Sequence, residues 1–71
     1  MDYKKIILNL CELKNTNYST VAKKIGTTKQ NIYNKFEKKK FYVDDLEKIA
    51  NALDCDLEIH FVDKNTKEIL A

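Results

Sequence analysis

Between Lys29 and Asn34 lie three side-chain amides, Gln30, Asn31 and Asn34, and one phenol, Tyr33, with Lys35 and the run Lys38-Lys39-Lys40 just beyond. Two chemistries follow from these residue types. An amide side chain can accept from adenine N6–H and donate to N7 at once, a pattern legible only in the major groove. Ammonium groups displace counterions from a phosphate backbone and supply affinity that falls with salt. A helix starting at Thr28 would add free N–H groups at its N-terminus, which also suit a phosphate. For the triple-Lys run alone, a solvated turn is the plain alternative.

Other reactive residues are sparse. His60 has only Glu58 at ligand spacing and reads as a surface histidine rather than a metal ligand. Cys11 and Cys55 stand outside any CxxC or Cys/His cluster and read as small buried hydrophobes. A Cys11–His60 nucleophile and base would take Cys11 from an apolar helix face that the core needs. Tyr3, Tyr18, Tyr33 and Tyr42 form no regular stacking platform, and a chain with one Gly holds no glycine-rich phosphate loop. The pattern points to a noncatalytic protein with no cofactor, no metal and no small-molecule ligand.

The elements that must position the amides follow from periodicity. Ile6, Ile7, Leu10, Cys11 and Leu13 recur at spacings of three and four, predicting an amphipathic helix over about residues 2–14. Asn17 or Ser19 caps a second helix that places Val21, Ala22 and Ile25 on one face and stops at Gly26, whose missing Cβ suits a positive φ. Thr27 or Thr28 caps a third, roughly 28–38, with Ile32 and Phe36 inward. Gln30, Asn34 and Glu37 then point outward, flanked by Asn31 and Tyr33. Leu46, Ile49, Ala50 and Leu53 mark a fourth helix that begins at the acidic pair Asp44-Asp45 and ends near Asp54. From Cys55 the period changes to two, which predicts a strand over 55–62, a turn at Asp63–Thr66 with Asn65 left-handed, and a return strand over 67–70.

At 71 residues the chain has room for one domain, 1–71. It is 44% apolar and 34% charged, with one Gly and no Pro, as fits a mainly α soluble domain rather than a membrane-spanning or low-complexity one. The run Ile6–Leu10, interrupted by Asn9, is too short and polar for a signal peptide, so the expected compartment is the cytoplasm. Net charge is +2, yet residues 1–40 carry ten Lys against three acids, +7, while 41–71 carry three Lys against eight acids, −5. That segregation gives a basic side suited to a polyanion.

The window 18–37 meets the demands of a helix-turn-helix: small Ala22 under the crossing helix, Gly26 at the turn, and Ile32 as anchor. Residues 17–62, through Val21–Ile32 and Asp45–Leu53, resemble phage Cro and repressor-type (XRE-like) helix-turn-helix domains, in particular small bacterial or phage members with a C-terminal strand or hairpin. Thr27 and Lys35 depart from the family's aliphatic positions, Tyr18 stands where Gln is common, and Asp54 replaces a usual Gly. The resemblance implies a four-to-five-helix domain acting as a sequence-specific DNA-binding regulator, a repressor, that reads double-stranded DNA as a homodimer. Lys29, Gln30 and Asn34 would be the base readers. Asn17, Tyr18, Thr28, Asn31, Tyr33, Lys35, Lys38, Lys39 and Lys40 complete the contact set, and residues 55–70 would form the dimer contact. A protein-binding module, such as an antitoxin or a small inhibitor of a partner, is the alternative on the same fold.

Overall fold

In the computed structural model, which describes residues 2–71, four helices account for the first three-quarters of the chain. They are α1 (Tyr3–Leu13), α2 (Tyr18–Lys24), α3 (Lys29–Glu37) and α4 (Val43–Ala52). Each begins where a side chain can take an orphan backbone donor. Asp2 Oδ1 accepts from Lys5 N at 3.1 Å, Asn17 Oδ1 from Thr20 N at 2.9 Å, and Thr28 Oγ1 from Asn31 N at 3.2 Å. At α4 the direction is reversed: Asp45, in the first turn, accepts at Oδ2 from the Tyr42 N–H at 2.9 Å.

The four ends share one device. Asn15 (φ 54°), Gly26 (φ 78°), Lys39 (φ 52°) and Asp54 (φ 57°) each sit left-handed two residues past the last helical one. The next N–H then turns back onto the helix: Thr16 to Cys11 O at 2.9 Å, Thr27 to Ala22 O at 2.9 Å, Lys40 to Lys35 O at 3.0 Å, and Cys55 to Ala50 O at 2.8 Å. These are four Schellman stops. A Cβ on Gly26 would meet nothing within 4 Å, so that glycine answers to backbone angle rather than to space.

Ile7 and Cys11 of α1, Tyr18, Val21 and Ala22 of α2, Ile32 and Phe36 of α3, and Ile49 with Leu53 at the end of α4 form the buried core. Tyr3, Phe36 and Phe41 extend it as an aromatic cluster, with Tyr3–Phe41 ring centroids 4.7 Å apart and Phe36–Phe41 5.1 Å. Leu46, on the apolar stripe of α4, is half-buried against this core. Ile6 and Leu13 share the helical period of α1 but are 43% and 78% exposed, because α1 is covered on one side only.

The C-terminal region departs from the hairpin expectation. One antiparallel bridge, Val62 with Ile69, stands in place of two strands, and residues 55–61 belong to no strand. Leu70 N donates to Phe61 O at 2.8 Å and Asp63 N to Glu68 O at 2.9 Å around the turn. Asp63 Oδ1 accepts from Asn65 N and Thr66 N, and Lys67 (φ 64°) rather than Asn65 takes the left-handed position. Leu57, Ile59, Phe61 and Val62 are exposed, so the alternating pattern does not cover the helical core. No helix among the described residues is long and apolar enough to cross a membrane.

Candidate nucleic-acid interface

Burial of Ile32 and Phe36 fixes the rotation of α3, and with it the ridge that faces away from the core. On that ridge Gln30 Nε2 donates to Asn34 Oδ1 at 3.0 Å, an i,i+4 pair. The pairing holds both amides in place and leaves Gln30 Oε1 as acceptor and Asn34 Nδ2 as donor. Adenine offers the complement, a donor at N6 and an acceptor at N7. Asn31 lies beside the ridge, its Nδ2 donating to Thr27 Oγ1 at 3.2 Å.

Lys29, Tyr33 and Glu37, spaced four apart, form the flank of α3 nearest α1. The Tyr33 ring stands edge-on to Tyr18, centroids 4.8 Å apart, with Lys29 Nζ 5.3 Å and Lys4 Nζ 4.6 Å from its centroid. Lys4 Nζ also donates to Glu37 Oε1 at 2.9 Å, and that carboxylate raises the pKa of the ammonium. On the opposite flank Lys35 Nζ donates to Asp45 Oδ1 at 2.9 Å. The Tyr42 N–H and then Lys35 hold the Asp45 carboxyl below its ordinary value.

Several of the expected contact residues also have structural duties, Thr28 at the α3 cap among them. Tyr18 is 3% exposed, and its hydroxyl donates to the Lys4 carbonyl at 2.6 Å, so the side chain belongs to the core and leaves the contact set. Burial, with Tyr33 next in effect, pushes its pKa well above the usual range. Asn17 spends Oδ1 on the α2 cap but remains exposed, as do Thr28 and Lys29. Lys38, Lys39 and Lys40 form the Schellman turn of α3, all exposed, where positive charge also complements the helix dipole.

Away from α3, His60 Nε2 lies 3.5 Å from Glu58 Oε2 on the surface. Both cysteines are free, Cys11 buried and Cys55 half-buried. Among the described residues no group of three or more His, Cys, Asp or Glu could hold a metal ion. Lys4 carries no signal of its place in the sequence: it lies 33 residues from Glu37, and only the packing of α1 on α3 brings it to the ridge's flank.

Two short helices joined at Gly26, the second presenting a polar amide ridge between lysines, define a helix-turn-helix domain. The family model of the Cro/C1-type HTH DNA-binding domain matches residues 7–58, and the chain belongs to that family. No curated protein and no solved structure matches the chain. Membership makes the chain a DNA-binding regulator in general.

Proposed function

We propose that the chain is a noncatalytic, sequence-specific repressor that occupies double-stranded DNA with α3 in the major groove. The observation that carries this reading is the Gln30–Asn34 amide pair, fixed on the outward ridge above buried Ile32 and Phe36. Lys29 joins the base contacts at the first turn. Asn17, Thr28, Asn31, Tyr33, Lys35, Lys38, Lys39 and Lys40 meet the backbone on either side, and Lys35 first has to leave Asp45. Selection from random duplexes tests the reading and should return a site with adenine at the positions facing Gln30 and Asn34. Gln30→Ala and Asn34→Ala should each cost about 1–3 kcal/mol on that site and relax specificity there. Equal losses on chosen and random duplexes would overturn the base-reading role. Replacing Lys38, Lys39 and Lys40 by Gln should weaken binding to every duplex and lower the salt slope by about one unit per lost phosphate contact.

The working unit in this reading is a homodimer joined through residues 55–70. Support comes from Leu57 and Ile59, which line an apolar groove between α1 and α4 with Ile6, Leu10 and Leu46, and from the exposed Phe61 and Val62 that follow. The backbone of 56–60, outside any strand, offers groups to a second copy, and two recognition helices about 34 Å apart would read one face of the duplex. Ile59→Pro should then give a monomer with weak binding to one half-site. Sedimentation of the intact chain as a monomer at tens of micromolar, free and on DNA, would overturn the dimer.

A further inference from the structure

Two ion pairs bracket α3, and they are not equivalent. Asp45 has a structural duty besides Lys35, since it holds the Tyr42 N–H at the start of α4. Among the described residues Glu37 pairs with Lys4 and with no other cation. It lies in the last turn of α3, where the helix dipole disfavours a carboxylate, and its side chain is 60% exposed. An exposed pair of this kind contributes little to stability, because water screens it and both side chains lose freedom. The Lys4 main chain is pinned by the Tyr18 hydroxyl, while its ammonium lies 4.6 Å from the Tyr33 ring centroid at the end of a flexible stem, so what can move is the side chain.

We propose that Lys4 is a phosphate-binding residue masked by Glu37, so that the carboxylate sets the electrostatic part of duplex affinity. The inference rests on the DNA-binding reading above. While Glu37 holds the Lys4 ammonium, the pair presents no net charge to a phosphate and releases no counterion. For Lys4 to reach a phosphate, it has to strand Glu37 beside a polyanion. The masked pair therefore keeps one cation out of a surface that would otherwise hold any duplex more tightly.

The test is the salt dependence of binding to a random-sequence duplex and to the selected site, for the wild type, Glu37→Gln, Lys4→Gln and the double variant. Glu37→Gln should bind both duplexes several-fold more tightly at low salt. It should lose about 3.5-fold more affinity than the wild type between about 50 and about 200 mM salt, the signature of one added phosphate contact. Lys4→Gln alone should leave the slope where it was, and the double variant should lose the gain. A Glu37→Gln slope equal to the wild type's, a double variant that keeps the gain, or a Lys4→Gln slope already lower by one contact would each overturn the mask. Failure of the wild type to bind any duplex would instead overturn the DNA-binding reading. Lys4→Gln keeps the carbonyl that Tyr18 uses, and circular dichroism of all four proteins checks that each retains the helical fold.

Discussion

Residues 2–53 and residues 55–71 carry apolar side chains in comparable supply, yet only the first region buries them within the chain. In the helical region every period-3.6 stripe meets another, and Ile7, Val21, Ile32 and Ile49 fall to 4% exposure or less. In the tail the period-2 stripe of Leu57, Ile59 and Phe61 reaches 38%, 58% and 76%. A helix satisfies its own backbone and asks only for a neighbour's face. A strand needs an edge to pair with as well, and this chain's helices offer none.

The largest effect expected from this contrast is at α3. Ile32→Ala should destabilise the chain by about 2–5 kcal/mol, and Ile59→Ala by less than about 0.5 kcal/mol when both are melted at submicromolar concentration. Equal losses would show that the tail is part of the fold. Next in size are the helix starts: Asn17→Ala should cost about 1 kcal/mol in a urea titration with unchanged m-value.

Acid titration separates the regions in a third way. Asp45 and Asp63 both titrate below their ordinary values, the first held by Tyr42 N–H and Lys35, the second by the N–H groups of Thr66 and Asn65. A carboxyl with a depressed folded pKa lends stability above the unfolded value of about 3.9, and that stability is lost as pH falls through the folded pKa. Asp45→Asn should therefore flatten the acid limb of the urea midpoint between about pH 4 and pH 2. Asp63→Asn should leave that limb alone, since its turn closes only the tail. A shared flattening would join the tail to the cooperative unit.

Reading the sequence recovers the four helices because their apolar spacings and caps are local. Gly26, Asn15 and Asp54 are of types that visit left-handed geometry, whereas Lys39 takes it without that signal. Tyr18 looks like a surface residue by its hydroxyl, but a main-chain carbonyl 14 residues away satisfies it and lets the ring enter the core. Lys35 reads as a free cation because its carboxylate partner lies ten residues on, in another helix. The tail misleads by the opposite route: its alternation reads as a strand, but residues 55–61 find no edge to pair with and belong to no strand.

The four left-handed stops have a consequence for how the chain reaches this structure. Each is closed by bonds spanning five residues or fewer, so a segment can find where its helix ends before it meets any other segment. Search over helix boundaries is thus finished early, and what is left is the docking of short rods across short connections. Chains of such local topology fold in about microseconds to milliseconds, and a temperature-jump relaxation should find this one there, with the tail's single bridge adding no slow phase of its own.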